Sequence, residues 1–262
     1  MCCCFAEGTH LTLFFAIEFT ERDEFAYHEM IAHLPMFSHP NPKRVLIVGG
    51  GDGGILKQVC RHACVESITL VEIDRTVTEV AKKFFSKTTA VSLDDPRLTI
   101  LHVDAFEYIN NTTETYDVII GDPRDPTGPG YTVFQPEFYE SMYKALNNDG
   151  IVCVQAQCIW INLDLISDVV ACCNDIFDYA EYASAMVPSF PCGQTGFILA
   201  RKGKHFSCQK PVRLPSPRFS SQLKWYNPAI HEAAFALPEF VKDHLGVEDE
   251  TDRCILPGCI LL

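Results

Sequence analysis

Short apolar runs recur along this chain, and stretches with apolar residues at helical spacing separate most of the earlier ones. The runs are Val45–Val48, Ile68–Ile73, Leu98–Val103, Tyr116–Ile120, Gly150–Gln155, Tyr182–Val187 and Thr195–Ala200. Their length and β-branched content predict buried strands. The intervening helical patterns are Ile55–Cys64, Val77–Phe85, Phe134–Leu146 and Asp164–Phe177. Strand and helix in alternation imply an α/β fold with a doubly wound, mostly parallel sheet. The last two strands are joined through a short segment with Pro188, Pro191 and Gly193, which predicts an antiparallel hairpin at the sheet edge. Upstream, Leu11–Phe19 reads as a strand, a short N-terminal β remnant. Thr20 is placed to cap a helix through Tyr27, Met30 and Ile31, which Pro40 and Pro42 end. After Pro211 come turn residues and a helix around Leu237–Leu245. The expected organisation is a β remnant over 1–19, a catalytic domain over 20–247 and a tail over 248–262.

The first strand stops at Gly49-Gly50-Gly51-Asp52-Gly53-Gly54, and a helix follows. Strand, tight glycine turn and helix open a nucleotide-binding βαβ unit. About twenty residues on, the second strand ends in Glu72 and Asp74, where a carboxylate can accept both hydroxyls of a ribose. Asp52 decides between cofactor types. A fixed anion in the turn would repel a pyrophosphate and attract a sulfonium or an amine. These residues therefore favour an S-adenosyl cofactor over a dinucleotide.

Ligands of open α/β sheets sit at the carboxyl ends of the strands. Asp52 follows the first strand, Glu72 the second, Asp104 and Ala105 the third, Asp122 the fourth, and Gln155 and Gln157 the fifth. Four successive strands thus end in acids. The fourth is followed by the segment Asp122-Pro123-Arg124-Asp125-Pro126-Thr127-Gly128-Pro129. Prolines stiffen it, and it carries two carboxylates three positions apart, a suitable mount for catalytic groups.

Composition narrows the partners. The 262 residues are 47% hydrophobic and 21% charged, as in a globular domain. Net charge is −13, from 21 basic and 34 acidic residues, which argues against nucleic acid and suits a polycationic substrate. Thirteen cysteines are present without a CxxC pair, so no zinc site is expected. Free thiols, no secretory signal and no apolar run near a membrane span in length point to a cytoplasmic protein.

The sequence resembles the spermidine synthases, a family of aminopropyltransferases. The resemblance rests on Thr20-Glu21-Arg22-Asp23-Glu24-Phe25-Ala26-Tyr27-His28-Glu29-Met30, His39-Pro40-Asn41-Pro42, Val45–Gly54 and Leu70–Asp74. It continues through Asp122–Pro129, Trp160, Leu163–Ile166, Gly193-Gln194, Tyr226-Asn227-Pro228 with His231, Ala233–Phe235 and Leu237–Phe240. It implies transfer of an aminopropyl group from decarboxylated S-adenosylmethionine to putrescine, with no metal, by a homodimer.

The resemblance also implies roles, residue by residue. Gly49, Gly51, Asp52 and His28 would line the cofactor site, with Asp52 meeting the aminopropyl ammonium or sulfonium. Glu72 would hold the ribose, and Asp104 and Ala105 the adenine. Asp122 would be the catalytic aspartate, assisted by Tyr27, and Asp125 the acid that binds the diamine. Gln157 and Phe190 would face the amine. Elementary chemistry agrees: an aliphatic ammonium, with a pKa near ~10, must lose a proton before its nitrogen can attack.

Some positions depart from the family. The family's Asp-Ser-Ser-Asp reads Asp122-Pro123-Arg124-Asp125. Gln157 stands for a frequent glutamate, Phe190 for a tyrosine and His28 for a usual glutamine. Only nineteen residues precede Thr20, fewer than in the family, which predicts a weakened dimer. Two other readings stay open: an amine N-methyltransferase using the intact cofactor, and a non-catalytic paralogue acting as a binding or oligomer partner. The C-terminal Cys259-Ile260-Leu261-Leu262 fits a prenylation pattern at Cys259, although the residues upstream are acidic.

Overall fold

The computed structural model describes residues 19–122, 135–203 and 207–247, and the backbone alone of 2–5, 8–13 and 16–18. Three N-terminal strands, β1 (Cys2–Phe5), β2 (Gly8–Leu13) and β3 (Ala16–Thr20), pair antiparallel in a small separate sheet. The expected remnant is thus a three-stranded meander.

The main sheet holds β4 (Arg44–Gly49), β5 (Ser67–Val71), β6 (Leu98–Leu101), β7 (Tyr116–Asp122), β8 (Leu146–Gln155), β9 (Tyr179–Met186) and β10 (Gln194–Arg201). Their order is β6-β5-β4-β7-β8-β10-β9. The first five run parallel, and β10 and β9 form the antiparallel edge pair that the sequence predicts. Alternation explains the apolar runs. Val45, Ile47, Val118 and Ile120 pack into the core on one face, and Leu46, Val48, Ile119 and Val152 into the core on the other. Strands covered on both faces have no wet positions to mark.

Helix α1 (Glu24–Ser38) lies on the first face and is buried almost all round. Its polar side chains are therefore partnered. Glu29 accepts the backbone N–H groups of Lys224, Trp225 and Tyr226 at 2.8–3.2 Å. His33 Nδ1 meets His62 Nε2 at 3.1 Å. The remaining helices of this half are α2 (Gly54–Cys60) and α3 (Arg75–Phe84). On the other face lie α4 (Ala105–Asn111), α5 (Pro136–Ala145) and α6 (Leu163–Ile176). Short helices α7 (Pro217–Ser220), α8 (Pro228–Ala233) and α9 (Glu239–Leu245) follow. Among the described residues no helix is long and apolar enough to cross a membrane.

Three local expectations change. Thr20 does not cap α1: its hydroxyl donates to Asp23 Oδ1 at 2.6 Å, and the helix begins at Glu24. Asp23 Oδ2 instead accepts Ser189 N–H at 2.7 Å, so the aspartate ties a distant loop to the helix start. The second strand ends at Val71, which leaves Glu72 and an exposed Ile73 in the turn beyond. The helix α4 has no counterpart among the expected elements, because only Ile109 of its seven residues is fully buried.

Candidate active site

Parallel register brings the strand ends together. Val48 stands beside Val71 and Gly49 beside Asp122, while Gly121 stands beside Val154. Asp52, Glu72 and Asp122 therefore follow three adjacent strands at one edge of the sheet, with Gln155 closing β8 and Asp104 following β6. The turn after β4 needs its glycines. Gly49 adopts φ 77°, and a Cβ there would strike the Asp122 carbonyl. A Cβ on Gly54 would enter the His28 imidazole.

Glu72 is nearly buried, and its carboxylate is oriented by backbone donors. Gly51 N–H reaches Oε2 at 3.1 Å and Asp74 N–H reaches Oε1 at 2.9 Å. His102 Nδ1 lies 3.1 Å from the Glu72 carbonyl. Asp52 Oδ1 accepts Gly54 N–H at 2.7 Å. His28 Nε2 approaches the same oxygen at 3.5 Å. On its other side His28 Nδ1 lies 2.7 Å from Glu24 Oε2, and Lys57 Nζ donates to Glu24 Oε1 at 2.8 Å. Burial alone would raise the Glu24 pKa, but His28 and Lys57 outweigh it and hold that pKa at about 2.

The second centre is Tyr27 with Asp122. The Tyr27 hydroxyl donates to Asp122 Oδ1. Burial first, and then the Asp122 charge, push the Tyr27 pKa well above its ordinary value, so the phenol keeps its proton. The Phe190 ring stacks on Tyr27 with centroids 5.1 Å apart. The Asp23–Ser189 contact anchors the loop that carries Phe190. Beyond β8, Gln157 adopts φ 65° and donates from Nε2 to Gln155 Oε1 at 3.2 Å.

Strand-end acids at the β4–β7 switch point, beside a phenol–carboxylate pair, suit a nucleoside-bearing cation. The sequence as a whole gives the same answer. Residues 24–210 match the family described as spermine/spermidine synthase domain. The chain belongs to the spermidine synthase family. It is 43% identical over 240 residues to a spermidine synthase of Dictyostelium discoideum, covering 92% of this chain and 84% of that one. It is 42% identical over 237 residues to a spermine synthase of Saccharomyces cerevisiae, covering 88% and 79%. The crystal structure of a spermidine synthase in complex with the transition-state analogue AdoDATO superposes with a TM-score of 0.86 at 38% identity, over 93% of this chain and 83% of that one.

The structure brings together most residues that the spermidine synthase resemblance nominates. Tyr27, His28, Gly49, Gly51, Asp52, Glu72, Asp122 and Phe190 form one continuous cluster, and Gln157 stands beyond the end of β8, bonded to Gln155. Asp104 and Ala105 lie at the rim. Asp104 is exposed and caps α4, its Oδ1 accepting Glu107 N–H at 2.9 Å. Asp125 and Arg124 lie outside the described residues, as does Cys259. Sequence reasoning missed Glu24 and Lys57. The signal was present: Glu24 and His28 are four apart on α1, where side chains meet. It also missed Asp23, whose contact with Ser189 joins residues 166 apart.

Proposed function

We propose that this protein transfers the aminopropyl group of decarboxylated S-adenosylmethionine to putrescine, giving spermidine and methylthioadenosine. The Tyr27–Asp122 pair carries the reading. It stands at the end of β7, beside a glycine turn whose acid suits a cationic cofactor. In this reading Glu72 accepts the ribose hydroxyls, and Asp104 and Ala105 border the adenine. Asp52 meets the charged end of the aminopropyl chain. Asp122 takes the proton of the attacking ammonium, while Tyr27 donates to the carboxylate and orients it. The freed nitrogen attacks the methylene next to the sulfonium, and methylthioadenosine leaves. The fold supplies orientation and charge, and the sulfonium supplies the leaving group. Asp125, Gln157 and Phe190 are assigned to the diamine.

Supplying putrescine and spermidine in parallel with the decarboxylated cofactor tests this. Spermidine and methylthioadenosine should form in equal amounts from putrescine. Product from spermidine alone would make the protein a spermine-forming enzyme. N-methylputrescine with the intact cofactor would make it a methyltransferase.

The protein is further proposed to be a cytoplasmic homodimer, assembled through the β1–β3 sheet. The support is the family relationship together with a sheet that, among the described residues, is separate from the main one. Deleting residues 1–19 should shift sedimentation from dimer to monomer, and an unchanged dimer would place the interface elsewhere. Prenylation at Cys259 predicts a mass increment on the C-terminal peptide when the protein is expressed in a eukaryotic cell.

A further inference from the structure

His28 stands between two carboxylates. Its Nδ1 is 2.7 Å from Glu24 Oε2 and its Nε2 is 3.5 Å from Asp52 Oδ1. The ring is 2% exposed and lies where a Cβ on Gly54 would be, with Phe19 at its edge. A neutral imidazole has one N–H and one lone pair. It can donate to one of these acids but must turn a lone pair toward the other. Only the imidazolium donates to both. The residue thus occupies, from the protein side, the same carboxylate that the proposed function gives to the cofactor's ammonium.

We propose that the His28 Nε2 proton and the ammonium of an aminopropyl tail are alternative occupants of Asp52, so that binding the decarboxylated cofactor displaces that proton. This inference rests on the cofactor assignment above. The step is a plain deprotonation. The Nε2–H bond breaks, its electron pair stays on the ring, and the proton goes to solvent. Nδ1–H remains donated to Glu24. The neutral ring then offers Nε2 as an acceptor beside Asp52, two acceptors for one ammonium.

The charged groups around the ring support this. Glu24 faces it from α1, Asp52 from the glycine turn and Lys57 from α2, with Tyr27 adjacent. Burial works to lower the His28 pKa. The Glu24 hydrogen bond and the Asp52 charge outweigh burial and the opposing Lys57, and the pKa is raised. The imidazolium, the form that donates to both carboxylates, is thereby favoured in the unliganded protein.

Titration calorimetry at one pH near neutrality, in phosphate and in Tris, measures the protons exchanged per ligand bound. The decarboxylated cofactor should release protons, at most one per site and fewer as pH rises. Methylthioadenosine, which has neither ammonium nor sulfonium, should release none. For the decarboxylated cofactor, Kd should fall roughly tenfold per pH unit while His28 is protonated, then level off. His28→Gln should bind the decarboxylated cofactor with no proton release and a flat pH profile. Tight binding of both ligands by wild type with equal proton exchange would overturn the proposal and leave the cofactor assignment standing. Failure of wild type to bind either ligand would overturn both. The wild-type measurement decides even if the variant does not fold.

Discussion

At the scale of single residues, two carboxylates with different surroundings are assigned different tasks. Asp122 receives the hydrogen bond of a phenol that keeps its proton, and it sits at the end of a rigid strand. Asp122→Asn preserves size but cannot take a proton. Turnover should fall by ~10²–10⁴-fold with little change in cofactor affinity. Steady-state rates beside calorimetric Kd values check this; full activity in the variant would remove Asp122 from the mechanism. Glu72 is held by two backbone N–H groups, which aim its carboxylate before any ligand arrives. Glu72→Ala should weaken methylthioadenosine binding by about 1.5–3 kcal/mol, the scale of hydrogen bonds to a charged acceptor. An unchanged Kd would reassign the ribose site.

At the scale of elements, the junction of α1 with the start of α2 governs the site. His28 projects from α1 into space left by Gly54 at the first turn of α2. Helix propensity alone would favour alanine over glycine there. The added methyl would instead meet the imidazole. Gly54→Ala should destabilise the protein by about 1–3 kcal/mol and weaken cofactor binding. His28→Ala should restore part of the stability in the double variant, since the two changes share one space. Denaturant midpoints for the four proteins measure the coupling, and purely additive losses would contradict the steric account. The loop carrying Phe190 has its own anchor in Asp23, the N-cap residue of α1, whose side chain makes no cap hydrogen bond and accepts Ser189 N–H instead. Asp23→Ala should free that loop and raise KM for the amine more than for the cofactor. Equal effects on both would assign the loop a general structural role.

At the scale of the whole molecule, the segment after β10 is clamped to α1 by buried polar side chains. Glu29 binds three backbone N–H groups of residues 224–226. His231 bridges Tyr226 and the Cys208 carbonyl. His33 and His62 share a cluster with Phe37, Phe219 and Tyr226. Burial pushes the His33 pKa well below its ordinary value, and burial with Arg213 nearby lowers that of His62 to about 3. Burial lowers the His39 pKa to about 4 and also depresses that of His231. Below their ordinary value of 6.5 these histidines take up protons in the unfolded chain but not in the folded one. Stability should therefore decline as pH falls from about 6.5 toward 3. Urea midpoints across that range test this, and His62→Phe should flatten the slope. His28 acts with the opposite sign, its contribution being present below 6.5 and lost as pH rises through its elevated folded value.

The sequence determined the strands, their mostly parallel order and the edge hairpin, because strands buried on both faces must be apolar at every position. It also located Asp52, Glu72 and Asp122, because a glycine turn and the strand ends mark the carboxyl edge of such a sheet. Tertiary structure alone decided the contacts between distant segments. Nothing local in Asp23 says that it will hold Ser189 rather than cap its own helix. Nothing local in His28 places it under Gly54 and against Asp52, since that depends on how α1 packs over the β4 turn. Hydrophobic pattern is a property of one segment and can be read along the chain. The partner of a buried polar group is a property of two segments, and it exists only once packing has brought them within a hydrogen bond of each other.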